Sequence, residues 1–281
     1  MTAAPLSGKE LAASLRASAA AEAARLTAAG VPPKLAVVVA TADESSAWYV
    51  RSIAKAAAKA GIACDVVDLG EHAAPDAIRA KLAELSADPG VHGVILQTPL
   101  PAGASLEEMA GAIAFEKDVD GANPLSLGRL AAGLPAFAPA TSEAVVRILE
   151  HHRIELTGRH VAVVGRSNVV GKPAAHLLLD KNATVTVCHS RTKDLAAVTS
   201  AADVVVAAVG RAGLIGAEHV RAGAVVVDVG TNPTDDGGLT GDVDAASVAD
   251  RAGALTPVPG GVGPVTTALL LQHTVRAAAE L

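Results

Sequence analysis

One turn in the sequence has residue types that suit a phosphate group. Residues 160–173 read HVAVVGRSNVVGKP, so an apolar strand ends at Gly165 and a helix begins near Val169. Ser167 stands where the middle glycine of the common GxGxxG pattern would be, and Gly171 closes the turn. Such a turn directs backbone N–H groups and the positive end of a helix at an anion. The pattern alone is weak evidence, and an ordinary strand–helix connection is the alternative.

The next predicted strand indicates which nucleotide the turn would hold. An NAD site usually has Asp or Glu at the end of this strand, where it binds the ribose 2′-hydroxyl. Here residues 184–188 run into His189, Ser190 and Arg191, with no carboxylate. Ser190, Arg191 and Arg166 could bind a 2′-phosphate, through hydrogen bonds that contribute roughly 1.5–3 kcal/mol each. This favours NADP over NAD; the alternative is that both arginines are solvated loop charges.

Three further loops fit a cofactor cleft. The first two follow predicted strands and contribute Gly210, Asp228, Gly230, Thr231 and Asn232. The third, residues 256–264, reads TPVPGGVGP and includes Pro259, Gly260 and Gly261. Its prolines and glycines shape the backbone at low entropic cost. The alternative is a purely architectural turn.

The elements that must position these residues alternate between strand and helix. Apolar runs predict strands at 35–40, 64–69, 91–96, 161–164, 184–188, 204–209, 224–229 and 254–257. Helical patterns fall at 45–60, 75–85, 106–113, 141–152, 170–179, 195–200 and 262–281, after an amphipathic first helix within 7–29. This alternation predicts an α/β protein of two domains, with three layers and parallel sheets. We expect one domain at 1–122 with the returning helix 263–281, a connecting segment at 123–140, and the other domain at 141–262.

Composition excludes several classes of function. The 281 residues carry a net charge of −6 without a basic block, so no nucleic-acid partner is expected. No apolar run approaches the length of a membrane span, and Glu10 and Glu22 argue against a transit peptide, so we expect a cytoplasmic protein. Cys64 and Cys188 have no metal-ligand or redox spacing, and no metal is expected.

Six stretches together resemble one family. They are GRSNVVGKP (165–173), NATVTVCHSRT (182–192), GDVD (241–244), TPVPGGVGPVT (256–266), QTPLP (97–101) and KDVDG (117–121). The sequence from about residue 35 onward is similar to the bifunctional methylenetetrahydrofolate dehydrogenase/cyclohydrolase family.

The resemblance implies a catalytic domain followed by a Rossmann-like NADP-binding domain, a folate in the cleft between them, and a homodimer. It implies a role in one-carbon metabolism: oxidation of 5,10-methylenetetrahydrofolate to the methenyl form, usually followed by hydrolysis to 10-formyltetrahydrofolate. Its substrate residues would be Tyr49, stacking on the folate; Gln97, near the reacting nitrogens; Asp120, accepting the N–H donors of the pterin; and Pro259, Gly260 and Gly261. Tyr49, Gln97 and Asp120 would form the catalytic site.

One departure from the family bears on the second step. The family has a lysine four residues after its tyrosine, and here that position is Ile53. Residues four apart share a helix face, so both should face the cleft, whereas Lys55 lies near the opposite face. Isoleucine has no titratable proton, so we expect weak or absent cyclohydrolase activity. The alternatives are a fully bifunctional enzyme, a non-catalytic folate- or NADP-binding paralogue, and a related dehydrogenase acting on another small cyclic substrate.

Overall fold

Strands and helices alternate along most of the chain. The computed structural model describes residues 2–234 and 236–281. The strands are β1 (Ala4–Pro5), β2 (Lys34–Val39), β3 (Ala63–Asp68), β4 (Gly93–Leu96), β5 (His160–Val164), β6 (Thr184–Cys188), β7 (Val204–Ala207), β8 (Val225–Asp228), β9 (Asn232–Pro233), β10 (Leu239–Thr240) and β11 (Ala254–Leu255). The helices are α1 (Lys9–Ala28), α2 (Glu44–Lys59), α3 (Pro75–Ala87), α4 (Leu106–Ala110), α5 (Pro124–Ala131), α6 (Ala140–His151), α7 (Gly171–Asp180), α8 (Leu195–Thr199), α9 (Ala245–Val248) and α10 (Val262–Glu280).

The chain divides into two compact units. The first contains Met1–Ala12 and Thr141–Thr266, and the second contains Ala13–Ala140 and Thr267–Leu281. The expected assignment of residues 1–122 to one domain is therefore wrong for the N-terminal residues. The reason is that β1 pairs in parallel with β11, which draws the N-terminal segment through Ala12 into the first unit.

The segment 123–140 also differs from its prediction as a connection between domains. It belongs to the second unit and contains α5. The Asn123 side chain accepts a hydrogen bond from the Leu125 backbone N–H at 2.8 Å, and Pro124 occupies the first turn. Asparagine before the helix and proline at its first position are both helix-start signals, because they suit N–H groups that have no partner within the helix.

The first unit is built on a six-stranded sheet in the order β1-β11-β8-β7-β5-β6, and all of its pairings are parallel. The central strands are valine-rich and buried, as expected where both faces of a sheet are covered. Because the strands run in the same direction, the loops that follow their carboxyl ends lie along one edge of the sheet.

The second unit has a three-stranded parallel sheet in the order β3-β2-β4. Apolar residues of β2, β4, α3 and α4 form its core, including Val38, Ile78, Leu82, Val94 and Met109. An isolated parallel bridge joins Val94 of β4 to Asp118, so the chain around Asp118 runs beside β4. This bridge extends the edge of the sheet by one short segment.

Two kinds of structural feature are absent from the residues that the structure describes. Within 2–234 and 236–281, no helix has the combined length and apolar character needed to span a membrane. The same residues contain no group of three or more His, Cys, Asp or Glu side chains that could hold a metal ion.

Candidate active site

Two predicted substrate residues follow neighbouring segments at the carboxyl edge of the three-stranded sheet. Gln97 follows β4 directly, and its backbone N–H donates to the Val38 carbonyl oxygen at 2.9 Å. Beside it, the Val94 N–H donates to the Lys117 carbonyl oxygen at 2.8 Å. The two neighbouring segments run in parallel, so Gln97 and Asp120 both emerge at this edge.

Tyr49 faces Asp120 from α2. Its side chain is half-buried, and its hydroxyl forms a hydrogen bond with Thr267. Burial raises the pKa of the Tyr49 phenol far above its ordinary value, the nearby Asp120 carboxyl raises it further, and the Thr267 hydrogen bond opposes both. The phenol therefore stays protonated, which suits a ring that contacts an aromatic ligand and donates one hydrogen bond.

The Asp120 carboxyl is withdrawn from water. Its pKa is raised to about 7: burial is the largest cause, the negative charge of Asp118 adds to it, and a backbone N–H from Ala140 opposes both. A carboxylate can accept about four hydrogen bonds, so one backbone donor leaves most of this capacity for a ligand. A half-buried carboxyl of this kind suits a planar pair of N–H donors.

Gln97 is connected to α2 through a shared acceptor. Its Nε2 donates to the Thr98 carbonyl oxygen at 2.7 Å, and the Ser46 hydroxyl donates to the same oxygen at 2.9 Å. The Asp43 carboxylate in turn accepts from the Ser46 backbone N–H at 2.7 Å and caps the helix. These bonds fix the start of α2 against the end of β4, with the Gln97 amide oxygen as the remaining polar atom of that side chain.

Ile53 lies elsewhere than expected. It shares the buried face of α2 with Ser46, Val50 and Ala57, and it is 0% exposed, whereas Tyr49 is half-buried. The expectation that positions 49 and 53 face the same open side was wrong, because the apolar side chain at 53 belongs to the core. Lys55 and Lys59 are exposed, so neither places an amine at position 53.

In the first unit, the turn after β5 has the close backbone contacts expected of a phosphate cradle. Gly165 has a φ of 128°, and a Cβ there would overlap the Ala208 carbonyl oxygen. A Cβ on Gly171 would overlap the Gly165 carbonyl oxygen. The Ser167 hydroxyl accepts from the Val170 N–H at 3.1 Å. The Ser142 hydroxyl holds the other side by donating to the Val169 and Val170 carbonyl oxygens at 3.1 and 2.9 Å.

The residues proposed for the 2′-phosphate lie at the same edge of the sheet. Arg166 follows β5, and Ser190 and Arg191 follow β6, its neighbour. All three side chains are exposed. The Arg191 N–H donates to His189 Nδ1 at 3.1 Å, which fixes the loop backbone while the guanidinium extends from it.

A residue without an assigned role in the sequence analysis organises two of the predicted cofactor loops. Asp242 is fully buried, and its Oδ2 accepts from the Val209 and Gly210 N–H groups at 2.6 and 3.0 Å. Its Oδ1 accepts from the Arg211 N–H at 2.8 Å and from Asn232 Nδ2 at 3.0 Å. The GDVD motif at 241–244 was the available signal, but its spacing does not reveal four donors.

The structure also corrects the expected role of Asp228. Its carboxylate is 3% exposed and accepts from the Gly230, Asp242 and Val243 N–H groups at 2.9, 2.9 and 3.0 Å. Its pKa is raised to about 6: burial is the largest cause, these N–H donors oppose it, and the Asp242 charge adds to it. The side chain thus braces the loop that continues through exposed Thr231, in place of the direct cofactor contact predicted for it.

The loop at Pro259, Gly260 and Gly261 belongs to the first unit, whereas Tyr49, Gln97 and Asp120 belong to the second. The N-terminal segment supports this loop: the Gly8 N–H donates to the Gly260 carbonyl oxygen at 2.9 Å. Gly260 has a φ of 112°, which a glycine adopts without strain. A Cβ on Gly8 would overlap the Gly261 carbonyl oxygen, so the N-terminal strand and this loop are closely packed.

Comparisons with known proteins cover nearly the whole chain. Residues 6–120 match the family described as tetrahydrofolate dehydrogenase/cyclohydrolase, catalytic domain, and residues 139–281 match the NAD(P)-binding domain of the same name. The chain is 68% identical over 275 residues to "Bifunctional protein FolD 1" of Saccharopolyspora erythraea, covering 98% of this chain and 94% of that protein.

Two solved structures share the fold and more than 30% of the sequence. The bifunctional FolD methylenetetrahydrofolate dehydrogenase/cyclohydrolase of Campylobacter jejuni superposes with a TM-score of 0.94 at 38% identity, covering 98% of both chains. The Trypanosoma brucei FolD, complexed with NADP cofactor and inhibitor, gives a TM-score of 0.94 at 34% identity and covers 100% of this chain and 98% of that one.

Proposed function

This chain belongs to the tetrahydrofolate dehydrogenase/cyclohydrolase family, and we propose that it oxidises 5,10-methylenetetrahydrofolate to 5,10-methenyltetrahydrofolate with NADP. One observation carries the proposal: Asp120, a withdrawn carboxyl with spare acceptor capacity, faces Tyr49 at the sheet edge where Gln97 emerges. These residue types match a flat, N–H-rich aromatic ligand.

The three side chains divide the binding of the pterin ring. Asp120, when ionised, accepts its amino and ring N–H donors, as a carboxylate accepts from a guanidinium. Tyr49 packs on the face of the ring system, and Gln97 forms hydrogen bonds near the nitrogens that carry the one-carbon unit. Their task is orientation, which contributes to rate by holding the reacting carbon in a productive position.

The first unit supplies the features that a dinucleotide needs. The turn from Gly165 to Gly171, at the start of the ten-residue helix α7, would hold the pyrophosphate through its backbone N–H groups. Exposed Arg166 and Arg191 can pair with a 2′-phosphate, and the relative from Trypanosoma brucei is complexed with NADP. When bound, NADP supplies the hydride acceptor.

A direct assay tests the dehydrogenase. Purified protein given methylenetetrahydrofolate and NADP should form NADPH, which is measured by the absorbance of its reduced nicotinamide. The methenyl product should form at the same rate. Absence of NADPH at saturating substrate would overturn the proposal. Binding of both ligands without turnover would instead favour the non-catalytic paralogue, and turnover of a different cyclic substrate would favour a related dehydrogenase.

Different observations support a normal and a weak hydrolytic second step. The names of the relatives, including "Bifunctional protein FolD 1" at 68% identity, support full bifunctionality better than they support loss of a step. The specific observation that favours weak hydrolysis is Ile53, a core side chain with no proton to transfer. Following methenyl decay in the same assay, against its buffer-only rate, separates the two candidates.

The variant Ile53→Lys tests whether this position limits hydrolysis. If the absent amine is the cause, and the longer lysine side chain reaches from the buried face of α2 to the substrate, methenyl hydrolysis should rise about 10²-fold, the lower range of general acid–base help. Because position 53 is buried, the variant should also lose unfolding free energy, as measured in urea. Ile53→Met is the matched control, since it alters packing without adding an amine. Equal hydrolysis rates in both variants would show that other residues set the rate.

Two statements about the whole molecule stay predictions. We expect a homodimer, which sedimentation velocity would show as a single species of twice the chain mass. We expect a cytoplasmic location and no nucleic-acid or membrane partner, which fractionation of the producing cells would test.

A further inference from the structure

Asp118 is the fully buried first aspartate of the KDVDG segment, and the proposed function gives it no role. Its Oδ1 accepts from the Ala122 N–H at 3.0 Å. Its Oδ2 accepts from the Asn123 N–H at 2.8 Å and from the Ser126 hydroxyl at 2.6 Å. All three partners donate, so the contacts suit a carboxylate, which only accepts.

These contacts close the turn that carries Asp120. The Asp118 carbonyl oxygen accepts from the Gly121 N–H at 3.0 Å, while its backbone bridges β4 at Val94. Gly121 has a φ of 62°, and a Cβ there would overlap backbone atoms of Ala138 and Pro139. Asp118 thus anchors the turn on both sides of Asp120. Its backbone bridges β4 before Asp120, and its side chain accepts hydrogen bonds from residues after Asp120.

The groups around the two carboxyls come from three elements. Tyr49 faces Asp120 from α2, and Asp118 lies on the same turn as Asp120. His273 belongs to α10 and is buried. Its Nδ1 lies 2.8 Å from the carbonyl oxygen of Val119, the residue between the two aspartates in sequence. His273 also interacts electrostatically with Asp118. The negative charge of the buried Asp118 disfavours ionisation of the half-buried Asp120.

We propose that Asp118 is a positioning residue of the folate site: it holds the turn that presents Asp120, and its negative charge controls how readily Asp120 ionises. The proposal rests on the proposed function, in which an ionised Asp120 accepts the N–H donors of the pterin. Burial raises the pKa of Asp118, and its three hydrogen-bond donors and His273 oppose that rise, whereas Asp120 has one backbone donor and awaits the ligand. The proton that Asp120 releases on ionising goes to solvent.

The variant Asp118→Asn tests the charge. In the wild type, kcat/KM for methylenetetrahydrofolate should rise with pH with a midpoint near 7, because kcat/KM follows ionisation in the free enzyme. The neutral variant should move this midpoint down by about one pH unit, so that kcat/KM at pH 6, relative to its plateau, rises about fivefold. A lower kcat/KM at every pH with an unmoved midpoint would show a merely structural role and overturn the proposal.

Ser126→Ala is the matched control. It removes the donor that α5 gives to Asp118 and leaves the Asp118 carboxylate in place, so its midpoint should stay near that of the wild type. A midpoint shift in Ser126→Ala as large as that in Asp118→Asn would assign the effect to the turn and overturn the role of charge.

A measurement without substrate separates this proposal from the proposed function and covers the case in which Asp118→Asn does not fold. Carboxyl ¹³C NMR of the wild-type protein should show Asp120 titrating near pH 7. Titration near pH 4, the ordinary range for Asp, would overturn the role of Asp118 whatever the enzyme turns over. Conversely, an enzyme that forms no NADPH but whose Asp120 titration moves to lower pH in Asp118→Asn would overturn the proposed function and leave the coupling of the two aspartates supported.

Discussion

Each unit has two aspartates at the carboxyl edge of a parallel sheet, and the two units supply hydrogen-bond donors to them differently. In the first unit, Asp242 accepts four hydrogen bonds and Asp228 accepts three. In the second unit, Asp118 accepts three from its own turn, whereas Asp120 has a single backbone donor from Ala140. Three of the four carboxylates are therefore satisfied within the protein.

The difference teaches how to distinguish a scaffold carboxylate from one that meets a ligand. The pKa does not distinguish them, because burial raises it to about 6 for Asp228 and to about 7 for Asp120. The number of internal donors does, since a satisfied carboxylate has little capacity left for a ligand. Substitutions that remove each carboxylate should therefore have different consequences in the two units.

Asp242→Ala should have the largest effect. It leaves four donors without an acceptor in the interior, and each such donor costs roughly 1–3 kcal/mol when water cannot reach it. With some water entering the vacated space, we expect a loss of about 3–4 kcal/mol in unfolding free energy, measured by urea denaturation.

Asp244→Ala is the matched control for that measurement. Asp244 lies in the same loop, is exposed, and caps α9 by accepting from the Ser247 N–H at 3.3 Å. Loss of such a cap typically costs about 1 kcal/mol. Equal losses in the two variants would mean that the four contacts of Asp242 contribute no more than one exposed cap.

The comparison extends to a cation at the edge of the first unit. Arg191 is exposed, and in our proposal its partner is the 2′-phosphate of NADP. Arg191→Ala should therefore raise the KM for NADP roughly 10–100-fold, the equivalent of about 1.5–3 kcal/mol, and leave the KM for NAD unchanged. Lys193→Ala, which removes a neighbouring exposed cation, is the control. Equal weakening of NADP and NAD by Arg191→Ala would assign Arg191 to the shared part of the dinucleotide or to the loop.

The sequence predicted most of the strands and helices because they carry strong local signals. β5 to β8 are short β-branched runs, and their predicted bounds differ by at most two residues at either end. It did not predict β1, because that two-residue strand exists only through pairing with β11, about 250 residues away. It also missed α5, although Asn123 and Pro124 signal its start, because residues 123–140 show no regular apolar period.

The candidate site was predictable in its residue types and not in its contacts. Motifs identified Tyr49 and Asp120, and the structure brings them together. They did not reveal the burial of Ile53, which depends on how α2 packs. Nor did they reveal the donors to Asp118 and Asp242, because loop geometry decides how many N–H groups point at a carboxylate.

Replacing aspartate by asparagine should have the smallest effect on the free energy of unfolding. The sign of that effect should differ between positions 120 and 228. The folded-state pKa values of Asp120 and Asp228 both lie above the value of about 4 expected in the unfolded chain. The folded state therefore binds more protons between pH 4 and each raised pKa, so stability falls as pH rises through that window. At pH 8 both carboxylates are ionised and oppose folding.

Asn at position 120 removes this opposition, and its amide oxygen can still accept the single Ala140 N–H. We expect Asp120→Asn to gain about 1–2 kcal/mol at pH 8, less than the full shift implies because the side chain is half-buried. Asn at position 228 keeps an oxygen for the Gly230 and Asp242 N–H groups, which share Oδ1, but turns an NH₂ toward the Val243 N–H. The unfavourable contact between these two donors should exceed the stabilisation gained by removing the charge. We expect the free energy of unfolding to fall by about 1–2 kcal/mol. Urea denaturation of both variants from pH 5 to 8 measures the two signs, and a loss of stability in both at pH 8 would show that donor number does not separate the two kinds of carboxylate.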